Sequence, residues 1–410
     1  MRLMLQFGYG MMDLSKELLK AWGGGGVILS PRDLDGNQLL TFAKQVNKLP
    51  GAFCLLDPQH YNPSANHERL VAHDFWPASY NTGSFWSGNA HLEHLRNIKE
   101  TNDQLGTPQI IAPGPLLKKG DSNWKGKLQT IVDGFEKIAP DREYYLTIAL
   151  SEDRALSSNF IHELLDELEK VDAFGVYIVA EHPKNAYLVE DVDWIANLLD
   201  LIAGCRIQGK DVLLGYCNHQ MLIAGCAGAN HIASGTWLNV RAFTVGKFDQ
   251  ATDDDDSRKS TWYYVPQGLS EFKVKDLDLA HKRKILNAFK PDKKYGSHYA
   301  DPIFLGPQPT TVSKERAAFA HYLQCLKFQS EGVQKATFPE TVEAYEKDLK
   351  ESEASLAKIH SLGIRAHYKD FEDIFNINRV ALKGLVDTRG AILERKWSAL
   401  MGGDEEKESA

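Results

Sequence analysis

Phe53-Cys54-Leu55-Leu56-Asp57-Pro58-Gln59-His60-Tyr61 is a short apolar run that stops abruptly in a carboxylate, an amide, an imidazole and a phenol. It reads as a buried strand, and polar groups at the end of such a strand are costly unless they face a ligand. The same order recurs along the chain: an apolar run, polar residues at its C-terminal end, then a helix. That order places a candidate site at the C-terminal mouth of a parallel β/α barrel.

Upstream, Val27-Ile28-Leu29-Ser30 follows four glycines and reads as a strand, and Asp35 to Lys48 reads as a helix with Leu39, Leu40, Ala43 and Val46 at helical spacing. Downstream, residues 58–89 form a long loop whose Tyr61, Phe75, Trp76, Tyr80, Phe85 and Trp86 argue against disorder. Further strands are expected at Gln109–Pro113, Tyr144–Leu150, Phe174–Glu181, Asp211–Gly215 and Ala229–Ser234, with helices between them, one capped by Ser157 or Ser158. Seven strand-helix units without a reversal fit a (β/α)8 barrel of TIM type, class α/β. For the eighth strand, Met1–Gln6 and Trp262–Val265 compete. The expected division is a barrel over 1–312, with insertions at 58–89 and 246–312, and a helical C-terminal region over 313–410 ending in a disordered acidic tail. Residues 249–260, with four consecutive aspartates, read as a solvated loop.

A net charge of −8 gives no global basic field for nucleic acid or anionic lipid, although a local basic groove is allowed. Five cysteines, odd in number and mostly in apolar segments, suit buried thiols of a reduced, cytoplasmic protein. No apolar run reaches the ~18 residues of a membrane span, and the N-terminus has no complete signal peptide.

Asp57 is the first candidate for chemistry. It either reads a ligand's donors in a bidentate way or closes an Asx turn with Pro58. Gln59, His60 and Tyr61 stand at the same mouth. Ser30 and Arg32 end the strand at 27–30, with Arg32 facing an anion or a loop salt bridge. Glu181 and His182 end one later strand, and Asn218 and His219 follow another. His231 is either a core histidine or a site residue. No cofactor is expected. No tetrahedral set of Cys and His ligands is present, so no metal is expected. The Lys282-Arg283-Lys284 and Lys290–Lys294 clusters read as solvated faces, or as phosphate contacts.

Two blocks resemble the tRNA-guanine transglycosylase family. One is Asp172-Ala173-Phe174-Gly175-Val176-Tyr177-Ile178-Val179-Ala180-Glu181. The other is Val212-Leu213-Leu214-Gly215-Tyr216, followed by Gln220 to Ala229. The likeness spans about residues 26–245 and implies a modified β/α barrel with a guanine or 7-deazaguanine base at the position of Asp57. It implies nucleobase exchange or conjugation on a nucleic acid or protein acceptor, in a nucleic-acid-modification or antiviral defence setting. Two features depart from the family. Ala229-Asn230-His231-Ile232-Ala233-Ser234-Gly235 holds no carboxylate where the family's nucleophile lies, and the Cys-rich zinc motif is absent. A non-catalytic binding subunit that docks a partner protein through its C-terminal helices, and an unrelated barrel hydrolase using Asp57 and Glu181, are the alternatives.

Overall fold

The computed structural model describes residues 1–65, 67–77, 79–80, 85–86, 89–249 and 260–407. Eight parallel strands form one nearly closed, barrel-shaped sheet: β1 Arg2–Gln6, β2 Gly25–Leu29, β3 Ala52–Leu56, β4 Ile110–Ile111, β5 Tyr144–Leu150, β6 Gly175–Ala180, β7 Asp211–Leu214 and β8 His231–Ser234. Their hydrogen-bonded order is β3-β2-β1-β8-β7-β6-β5-β4. The fold is the (β/α)8 TIM-type barrel expected from the sequence, with a helical C-terminal region.

The contest for the eighth strand goes to the N-terminal run. Leu3 pairs with Ile232 of β8, and Leu5 pairs with Val27 of β2, so β1 is central in the ladder. The competing segment forms β9 (Trp262–Val265), which makes an antiparallel hairpin with β10 (Ser270–Lys273) outside the barrel. One seam remains without a ladder, between β3 and β4, where the long 58–89 excursion leaves the wall.

Both faces of the strands are buried, as is usual for a parallel sheet, and alternation sorts their side chains into two cores. Met4, Ile28, Leu55, Ile111, Tyr145, Tyr177, Leu213 and Ala233, one from each strand, fill the barrel interior. Leu5, Val27, Cys54, Ile110, Ile148, Ile178, Val212 and Ile232 face outward, into the layer beneath the helices. The glycine run before β2 has a steric cause. Gly24 has φ 138°, and a Cβ there would strike the Gly51 carbonyl, so only glycine fits this crossing.

Some of the helices begin at a side-chain cap. Asp35 forms a capping box with Gln38 at Gly36–Val46, and Ser157 accepts from Phe160 N at Ser158–Leu168. The unit after β7 has a 3-10 helix, His219–Ala227, instead of an α-helix. Glu315–Val333 packs on β1 and on Met11–Trp22, and Trp22 Nε1 donates to Gln324 Oε1 at 2.7 Å. The wall of the barrel is therefore completed by a helix beyond residue 313. Phe338–Ser361 and Ile374–Lys407 follow. The last helix is traced through Lys407, and residues 408–410 of the acidic tail lie outside the described residues. Leu382, Leu385, Leu393 and Trp397 are buried, and the helix lies along the barrel's own Val192–Ile207, so its apolar face is spent within the chain. All five cysteines are buried and free. No helix among the described residues is long and apolar enough to cross a membrane. The aspartate run at 253–256 lies outside the described residues.

Candidate functional site

Asp57 follows β3 and extends its ladder, its N–H donating to Leu29 O at 3.2 Å. Alternation turns the side chain into the barrel mouth, where it is 1% exposed. The Asx turn expected from the sequence is present, and the two carboxylate oxygens have different partners. Oδ1 closes the Asx turn by accepting from Gln59 N at 2.9 Å. Oδ2 accepts from three phenols: Tyr61 at 2.7 Å, Tyr216 at 2.9 Å and Tyr177 at 3.2 Å.

Burial pushes the Asp57 carboxyl up to about 6, against the pull of the hydrogen bonds from Tyr61, Gln59 N, Tyr216 and Tyr177. Burial also drives the three phenols well above their ordinary range, so they remain donors. Gln59 ties the rim together. Its Nε2 donates to Ser30 Oγ at 2.9 Å and to Tyr216 at 3.1 Å, and its Oε1 accepts from Arg32 N at 2.9 Å. Gln59 (φ 58°) and Tyr216 (φ 55°) both adopt the left-handed region without being glycine. Such strain persists only where surroundings over-determine it, and it clusters at functional sites.

An aromatic plug closes the mouth. After β8 the chain lays Phe243 and Phe248 on Tyr61, at 4.8 and 4.9 Å between ring centroids. Glu181 holds the plug in place, its Oε1 accepting from Val245 N at 3.0 Å. Arg32 lies 5.5 Å from the Phe248 ring.

The structure thus gathers Asp57, Gln59, Tyr61, Ser30 and Arg32 into one cluster, with Glu181 on its lid. The other candidates lie elsewhere. Asn218 caps the 3-10 helix, accepting from Gln220 N at 2.8 Å and donating to Tyr187 O at 2.6 Å. His182 packs against Trp194, its Nδ1 2.9 Å from Ala186 O, and burial lowers it to about 4. His231 is a correction. It is the first residue of β8, 3.8 Å from Asp211 at the start of β7, and so belongs to the opposite, N-terminal face of the barrel. Reading that strand from Ala229 instead of His231 had moved it toward the mouth.

His219 belongs to a second buried cluster, which the sequence did not reveal. Glu271 of β10 accepts from Tyr187 at 2.5 Å, Lys369 at 3.0 Å and Arg241 at 3.2 Å, and all three charged residues are at most 3% exposed. Burial pushes the Glu271 carboxyl up, but Lys369 and Arg241 override it and bring it down to about 2. Burial also lowers Lys369 to about 8, against the attraction of Glu271. Arg241 lies 3.5 Å from the Tyr322 ring. The cluster clamps the hairpin and the C-terminal region onto the loops after β6, β7 and β8.

Two members of the Asp57 cage also escaped sequence reasoning: Tyr177, a lone phenol inside the apolar β6, and Tyr216 at the end of β7. Gln6, at the end of β1, stands 3.4 Å from Tyr177. Among the described residues, one set of side chains has the spacing to hold a cation: His360, Asp370 and Glu372. Arg365 already occupies it, 2.5 Å from Glu372 and 2.7 Å from His360.

Compared with known proteins, the chain matches no family model and no curated protein.

Proposed function

We propose that the barrel mouth binds a planar, donor-rich base, guanine or a 7-deazaguanine, on Asp57. On this reading the protein takes part in nucleobase exchange or conjugation. One observation carries it: a buried carboxylate at the C-terminal rim, met by four donors, between two left-handed non-glycine residues. A carboxylate so placed matches a ring N–H beside an exocyclic amino group. The phenols now occupy Oδ2 and Gln59 N occupies one position on Oδ1; a base would share Oδ1 and take over Oδ2 as Tyr61 and the Phe243–Phe248 plug swing aside. At pH 7 Asp57 is mostly ionised, the form that accepts. Residues 229–235 carry no carboxylate, so covalent attack from β8 has no part in the proposal, and the acceptor chemistry is assigned to a nucleic acid or protein that receives the base.

Calorimetric titration with guanine and with 7-deazaguanine tests this. Asp57→Asn is expected to weaken binding by roughly 1.5–3 kcal/mol, the loss of a hydrogen bond to a charged group. Unchanged affinity in a folded variant would remove the assignment.

A further inference from the structure

A cavity of about 140 Å³ lies outside the barrel, where the C-terminal helices meet the β9–β10 hairpin. Its walls are the C-terminal end of the Glu315–Val333 helix, the middle of the Phe338–Ser361 helix, the hairpin turn at 267–269 and the segment 292–295. Buried Leu222, Leu269 and Leu349 supply its apolar surface. A void of about 150 Å³ is enough for a single benzene-sized ring.

Polar groups around this cavity are left without partners. Tyr295 and Ser352 line it and are only 6% and 8% exposed. Among the described residues neither hydroxyl makes a hydrogen bond, and leaving a buried polar group unpaired is unfavourable. Among the same residues the carboxylates of Asp292 and Asp348, also in the lining, have no hydrogen bond or ion pair, and Glu351 reaches only Lys347, at 4.0 Å. Burial raises the Asp348 carboxyl, against the pull of Lys294. Burial, with Asp292 next in weight, raises the Tyr295 phenol, so it remains protonated. Three carboxylates thus face one basic lining residue, Lys294, which stands 5.2 Å over the Tyr295 ring. Phe328, half-exposed, is edge-on to that ring at 5.5 Å between centroids.

We propose that this cavity binds a small organic cation, an ammonium group carried on a single planar ring. The surplus of carboxylates answers the charge, and the Tyr295 and Ser352 hydroxyls offer the ammonium further acceptors. The apolar surface and the Tyr295–Phe328 pair answer the ring. An aromatic face also attracts a cation, as Tyr295 already attracts Lys294. A metal ion fits less well, because the described residues bring three ligand atoms within 4.8 Å only at His360, Asp370 and Glu372. The inference does not rest on the Asp57 reading, since none of these residues belongs to that cage.

Three probes test it by calorimetry and saturation-transfer NMR: benzylamine, benzyl alcohol and ethylamine. Benzylamine is expected to bind. Benzyl alcohol lacks the charge and ethylamine lacks the ring, and each is expected to bind about tenfold more weakly or worse, the worth of one charge-assisted hydrogen bond or one buried ring. Asp348→Asn combined with Glu351→Gln is expected to weaken benzylamine by about the same factor. Gly332→Leu blocks the space: Gly332 lines it, and a Cβ there meets nothing within 4 Å, so the variant is expected to fold and to lose benzylamine. A thermal melt of each variant establishes that it is folded. No benzylamine binding, equal binding of benzyl alcohol or ethylamine, or full affinity in either folded variant overturns the proposal. Asp57→Asn is expected to leave benzylamine unchanged, and a loss in that variant would put the amine at the barrel mouth and overturn the proposal as well.

Discussion

Asp57 sets burial against four hydrogen bonds, and the pH dependence of folding shows which wins. In the unfolded chain its carboxyl ionises near 3.8, and in the barrel near 6. Between those values the native state holds the extra proton, so stability falls as pH rises. The contribution is fully present below 3.8 and is lost as pH passes 6. A shift of about two units at 1.36 kcal/mol each gives about 3 kcal/mol. Asp57→Asn has no such titration. Urea denaturation of both proteins at fixed ionic strength, from pH 3.5 to 7.5, isolates the effect once one curve is subtracted from the other. The advantage of the native protein over the variant is expected to shrink by about 3 kcal/mol across that range. Tyr61→Phe removes the shortest donor, at 2.7 Å, and is expected to move the midpoint of the loss higher. A flat difference, or one that grows with pH, would refute the reasoning. It would mean that three phenols and an amide hold the carboxylate more strongly than burial repels it, as happens where several donors converge on one acid.

Glu271→Gln leaves Arg241 and Lys369 buried without their anion and is expected to cost about 3–5 kcal/mol in chemical denaturation. Because Lys369 binds its proton less tightly folded than unfolded, the stability of the native protein relative to Lys369→Met is expected to rise from pH 8 toward 10.5, the opposing contributions of the buried thiols and phenols being common to both proteins. Gly215→Ala would set a Cβ 2.5 Å from the Tyr177 hydroxyl. It is expected to cost about 1–3 kcal/mol by overpacking and to shift the Asp57 titration, whereas a variant with native stability would show that the cage is loose.

The barrel was legible because each strand is a local signal, an apolar run ending in polar residues. What local signals could not supply is adjacency. Met1–Gln6 and Trp262–Val265 are equally apolar, and only pairing with residues 231–234 decides between them. The same limit hid the cage. Tyr61, Tyr177 and Tyr216 come from three distant units, and only closure brings them onto one oxygen. Glu271, Lys369 and Arg241 meet for the same reason. Asn218 is a different case. An Asn directly before a helical segment is a capping signal, and here that plain reading accounts for its contacts better than a place in a binding site. His231 turned on two residues of strand boundary, enough to send a side chain to the other end of the barrel.

The central position of β1 in the ladder has a consequence for synthesis. Its β2 edge can pair early, but its other edge waits for β8, about 225 residues later, which at ~5–20 residues per second is roughly ten to forty-five seconds. For that interval Arg2–Gln6 presents an unpaired, largely apolar strand edge, the kind of template that recruits other chains. Until the barrel closes, the nascent protein therefore carries an open edge at its central strand as well as at β3, whose outer edge has no ladder even in the finished sheet.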